Sequence, residues 1–185
     1  MARPREFDTG FAITGAMKIF WRQGFKATNL PELLDAMGLT RGSFYKAFDD
    51  KESVYLKALD QYDETVVTQT LAMLAGCGAP QASTCLYQIF APSSAPERGC
   101  FICNAMVELA PDNPRVAAKA NAMAERLKGG IVGVLEARGV GRSPEHRLEL
   151  GDVVLHLYFG HQAMGKSDAA PKDWQTRLRR ILGEI

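Results

Sequence analysis

The chain has 185 residues, 46% apolar and 23% charged, a balance that supports one large or two small cores and argues against disorder. Its formal net charge of +1 is too small to announce a nucleic-acid binder, so any basic surface must be local and offset by acidic groups elsewhere. There is no apolar run of about 20 residues, and Arg3, Arg5, Glu6 and Asp8 crowd the N-terminus where a signal peptide would turn apolar; the expectation is a cytoplasmic protein with no membrane partner and four reduced cysteines.

Residues Ala2 to Asp8 read as a short arm, with Arg3 and Arg5 placed to reach a phosphate or a minor groove. A helix follows from Asp8 or Thr9 to Gln23, with Ala12, Ala16, Ile19 and Phe20 on one side, and it stops at Gly24 so that Phe25 folds back against it. The second helix begins within Asn29 to Pro31, where Asn29 and Glu32 have capping-box spacing and Leu30, Leu33, Leu34 and Met37 form an apolar stripe. Gly38 falls where that helix must stop in a left-handed conformation, Leu39 plugs the turn and Thr40 caps the next helix. This third helix, roughly Arg41 to Phe48, puts Phe44 and Phe48 on one face and leaves Arg41, Gly42, Ser43, Tyr45 and Lys46 outside. Such a helix, slim at its start and polar on its face, suits the major groove.

The exact residues carry more than the pattern. Gly24-Phe25, Thr28, Gly38-Leu39, the run from Thr40 to Phe48 with its Thr-x-Gly-x-Phe-Tyr-x-x-Phe spacing, and Lys51-Glu52 resemble the DNA-binding domain of the TetR (tetracycline-repressor-like) family. The resemblance implies an all-α fold: a helix-turn-helix head over residues 1–50 and a helical ligand-binding and dimerisation body over 51–185. It also implies double-stranded operator DNA, a small-molecule effector and a second copy of the chain as partners, with Thr28, Thr40, Arg41, Gly42, Ser43, Tyr45, Lys46 and Lys51 on the DNA. Beyond Lys57 the likeness is mainly architectural, except that Gly99-Cys100-Phe101-Ile102-Cys103-Asn104 and Glu108-Leu109-Ala110 look like a segment of one subgroup of these regulators.

Asp49 or Asp50 caps a long helix running to about Ala75, and Gly76, Gly78 and Pro80 break it. Further helices are expected over Pro80 to Ala91, Cys100 to Leu109, Asn113 to Ala137, Pro144 to Met164 and Pro171 to Ile185, with Pro92 and Pro96 among the breaks. The last two are apolar on more than one side, through Leu150 to Phe159 and Trp174 to Leu182, which points to self-association.

Cys100-x-x-Cys103 invites a thiol-redox or metal-binding alternative. It opens an apolar helix in a chain without strand signals, and no second ligand pair follows at zinc spacing, while His156 and His161 do not share a helix face. No metal or cofactor is expected, and no Ser/His/Asp spacing, P-loop or GxGxxG points to an enzyme. The remaining expectation is an effector pocket using Cys100, Phe101, Cys103, Asn104, Val107 and Glu108, with Cys100 also a candidate thiolate because it starts a helix beside Arg98.

Overall fold

The computed structural model describes residues 8–91, 98–167 and 171–184; the arginines of the N-terminal arm, and Pro92 and Pro96, lie outside them. Among the described residues the chain is helical with no strand. Helix α1 spans Thr9–Gln23, α2 Leu30–Met37 and α3 Arg41–Ala47, and each is started by its own side-chain cap. The Asp8 carboxylate accepts from the Phe11 amide, Asn29 and Glu32 close a reciprocal capping box, and Thr40 accepts from Ser43. Gly38 takes φ 66° and ψ 30° to end α2, and the Leu39 amide then reaches back 2.9 Å to the Leu34 carbonyl. Phe20, Leu33, Met37, Phe44 and Phe48 are buried together beneath this turn, with Phe25 half-buried at their edge.

Helix α4, Lys51–Tyr62, carries a capping box between Asp50 and Ser53. The long helix expected here is continuous but not uniform. Asp63–Val67 forms a turn of wider, π-type helix before α5, Thr68–Ala75. Tyr62 and Val67 are both buried although five residues apart, a step that leaves two side chains ~140° apart on an α-helix; the wider turn brings them to one face.

The body comprises α5, α6 (Ala82–Phe90), α7 (Phe101–Glu108), α8 (Pro114–Ala137), α9 (Pro144–Gly165) and α10 (Trp174–Leu182). Helix α8 is its axis, touching α4, α5, α6, α7 and α9, and α10 rests on α6. Helix α6 lacks a cap of its own. The Glu184 carboxylate supplies one from the chain's other end, accepting from the Ala82 amide at 2.7 Å and the Ser83 amide at 3.1 Å. Helix α10 is shorter than expected because its apolar face ends with Leu182 and Gly183 turns left-handed. Cys77 and Cys85 are disulfide-bonded with Cα atoms 5.7 Å apart, which corrects the expectation of four reduced thiols: the break after α5 folds the chain back within bonding range. No helix among the described residues is long and apolar enough to cross a membrane.

Candidate nucleic-acid interface and effector cleft

Helix α3 presents Arg41, Gly42, Tyr45 and Lys46 to solvent after the exposed cap Thr40, with Ser43 half-buried among them. Phe44 faces inward and is buried. Tyr45 stands edge-on to the Phe44 ring at 5.2 Å, and the Arg41 guanidinium lies 5.9 Å from the Tyr45 ring centre. There is no acidic residue in the first turn of α3. A Cβ at Gly42 would meet nothing within 4 Å, so the protein's own packing does not require glycine there. The face therefore offers a guanidinium, a phenol and an ammonium around a slim helix start, the donors that grip phosphates and base edges.

Thr28 and Lys51, expected on phosphates, are placed otherwise. Thr28 is fully buried and its hydroxyl donates to the Gly24 carbonyl at 2.6 Å. The Lys51 ammonium donates to the carbonyls of Phe25 and Thr28, each at 2.9 Å, and sits 4.1 Å from the Phe25 ring centre. Binding a phosphate there means giving up two charge-assisted bonds. Both residues hold the turn that leads from α1 into α2.

That turn is also gripped from the body. Glu108, at the end of α7, accepts from the Phe25 amide at 2.9 Å and the Lys26 amide at 2.7 Å. Beside it opens a cleft of about 350 Å³ lined by Trp21, Arg22, Gln23 and Gly24 of the head and by Cys103, Asn104, Val107, Glu108, Ala163 and Lys166 of the body. Four of the six expected pocket residues thus come together. Cys100 and Phe101 do not, because both point into the core and are buried. Lys166 donates to the Asn104 side-chain oxygen at 2.6 Å, and the Asn104 amide donates to the Arg98 carbonyl at 3.0 Å. Trp21 donates to the Gly99 carbonyl at 2.8 Å. The contributions of Trp21 and Lys166 were invisible in sequence, since each depends on a fold contact with no local signature.

Burial disfavours the candidate thiolate at Cys100. Its thiol is enclosed with Tyr62, whose hydroxyl lies 4.0 Å away, and desolvation pushes its pKa up to about 11 despite the amides of Ile102 and Cys103. Cys103 is half-buried; burial raises its pKa too, with Lys166 pulling the other way. Among the described residues no three His, Cys, Asp or Glu side chains are grouped to hold a metal ion.

Comparison with known proteins fits this arrangement. The family model described as bacterial regulatory proteins, tetR family, matches residues 12–58, which hold most of α1, all of α2 and α3, and most of α4. The HTH-type transcriptional repressor ComR of Escherichia coli (strain K12) is 32% identical over 146 residues, spanning 74% of this chain and 69% of ComR. YezE of Bacillus subtilis (strain 168), an HTH-type transcriptional regulator, is 28% identical over 148 residues, 76% of this chain and 75% of its own. In fold, a cysteine mutant of the regulator CifR, solved with operator DNA, superposes with a TM-score of 0.80 over 98% of both chains at 24% identity. The reduced form of E. coli NemR superposes with a TM-score of 0.79 at 17% identity, over 96% of this chain and 97% of NemR. With a head that presents α3 outward and a relative of this identity along most of its length, the chain belongs to the tetR family of bacterial regulatory proteins and is a DNA-binding transcriptional regulator.

Proposed function

We propose that the protein is a cytoplasmic repressor that grips a palindromic operator as a homodimer and releases it when a small molecule enters the cleft between α1, α7 and α9. The observation that carries the first half is the exposed face of α3, where Arg41, Tyr45 and Lys46 surround a glycine that the protein's own packing leaves open. What supports the second half is that the cleft has walls from both head and body, so an occupant changes how one sits on the other. ComR is named a repressor and CifR was solved with operator DNA, which agrees with repression through an operator. Arg41 and Lys46 have separate duties in this reading. Arg41 reads a guanine edge and Lys46 holds a backbone phosphate.

Footprinting on the protein's own promoter supplies the duplex for the test. Arg41→Ala should lose ~1–3 kcal/mol on that site and discriminate less against altered bases. Lys46→Ala should weaken all duplexes alike and lower the salt slope by about one. If both variants bind the footprinted site as the parent does, α3 is not the reading helix.

A further inference from the structure

The turn from Gly24 to Thr28 is held at both polar edges by groups from outside it. Its Phe25 and Lys26 amides donate to the two oxygens of Glu108, at 2.9 and 2.7 Å, and its Phe25 and Thr28 carbonyls accept from the Lys51 ammonium, at 2.9 Å each. The peptide segment thus lies between a carboxylate of the body and an ammonium of α4. The approach of Glu108 depends on Gly24: φ is +86° there, and a Cβ would come within 2.8 Å of the nearer carboxylate oxygen. The turn leads directly into α2, whose end positions α3. On the other side, Glu108 shares α7 with Cys103, Asn104 and Val107, which line the cleft. A second tie, from the Trp21 indole to the Gly99 carbonyl, also involves a residue of the cleft wall.

We propose that Glu108 is the positioning residue through which occupancy of the cleft reaches the reading helix: an occupant that parts α7 from α1 draws the carboxylate off the Phe25 and Lys26 amides and frees the turn ahead of α2. This rests on the reading that the cleft takes the effector. The physical basis is the cost of leaving two amides without their charged acceptor, since bonds to a charged group are the strong ones and act here on consecutive residues. Of the two charged groups that grip the turn from outside, Lys51 alone then remains. The head gains freedom to tilt, and two heads no longer keep the spacing a palindrome demands.

The test uses the full chain and N-ethylmaleimide, whose double bond adds the Cys103 sulfur as a thioether and the thiol's proton at the neighbouring carbon, leaving a bulky plug in the cleft. Cys100 is buried and Cys77 and Cys85 are paired, so Cys103, half-buried in the cleft wall, is the thiol most open to the reagent. Labelling confirmed by mass at Cys103 should release the footprinted duplex and speed amide exchange at Phe25 and Lys26 by about tenfold or more, with amides in the middle of α1 unchanged. Release with those two amides still protected would overturn the role of Glu108 and leave the cleft as the effector site. No release at full labelling would overturn the effector reading itself, and the proposal with it.

Glu108→Gln provides the second arm. Its amide oxygen can accept one N–H, but its NH₂ group then faces the other donor. With helical content unchanged, the unlabelled variant should already show fast exchange at Phe25 and Lys26 and operator affinity lower by about tenfold, and the label should add little. Parent-like affinity and a parent-like response to the label would sink the proposal; if the variant does not fold, the exchange measurement on the labelled parent decides alone.

Discussion

Gly42 is conspicuous at the scale of single residues because nothing in the protein accounts for it. It lies in the first turn of α3 with no positive φ and open space where a Cβ would go, whereas Gly24 is constrained both by its backbone and by Glu108. In a helix, glycine costs ~0.5–1 kcal/mol relative to alanine, so Gly42→Ala should raise the unfolding midpoint in urea. The same Cβ would stand between α3 and a groove floor. Operator affinity should therefore fall by about tenfold or more while stability rises, opposite signs that a merely structural glycine does not give. Unchanged affinity in a stabilised Gly42→Ala protein would remove the groove-contact reading of that position. What was legible at this scale was local. Asn29 with Glu32 and Thr40 with Ser43 act across three residues, so sequence spacing finds them. Lys51, Glu108 and Glu184 find their partners 26, 83 and 102 residues away, and no spacing rule reaches that far.

At the scale of elements, helix positions followed from periodicity and caps, but which faces the body helices bury did not. Helix α10 is a case in point. It is fastened to α6 and α9 through a ring cluster in which Trp174 lies 4.5 Å from Phe90 and donates its indole N–H to His161 Nδ1 at 2.8 Å. That bond requires an unprotonated Nδ1. Burial independently lowers the His161 pKa below the ordinary 6.5, against a smaller opposing effect of Phe90. The folded pKa is therefore below the unfolded one, so the unfolded chain takes up protons first as pH falls. The stabilisation is complete above the ordinary histidine value and is lost as pH drops through the lowered one. Asp173, at the start of α10, also has a lowered pKa through Arg177, but from 3.8, so its effect belongs to a more acidic window. Urea midpoints at about pH 7.5 and about pH 5.5 should differ, and His161→Gln should shrink that difference. An undiminished difference in the variant would place the acid-sensitive group elsewhere.

At the scale of the whole molecule, the described residues leave an apolar stripe on α9 uncovered. Leu155 and Leu178, which sequence patterning places at an interface between copies, are 5% and 0% exposed within one chain, and a charge at either would unfold the body before it parted two chains. Val153 and Met164 are instead 46% and 45% exposed, and with half-buried Leu157 and exposed Gly160 they recur at steps of four, three and four, one face of a helix. Ile181 on α10 adds another exposed apolar side chain, at 40%. An apolar helix stripe left open in one chain fits a second copy meeting the same face across a two-fold axis, with Gly160 letting the helices approach closely. Val153→Glu should then keep its helical content and convert a dimer into a monomer by light scattering, because it sets two like charges near the axis in an apolar contact. Loss of the dimer should in turn remove binding to the full palindrome, whose half-sites lie ~34–36 Å apart, while a single half-site is held as weakly as before. A parent protein that is monomeric at micromolar concentration, or a Val153→Glu protein that stays dimeric, would show that the two heads are not joined through α9.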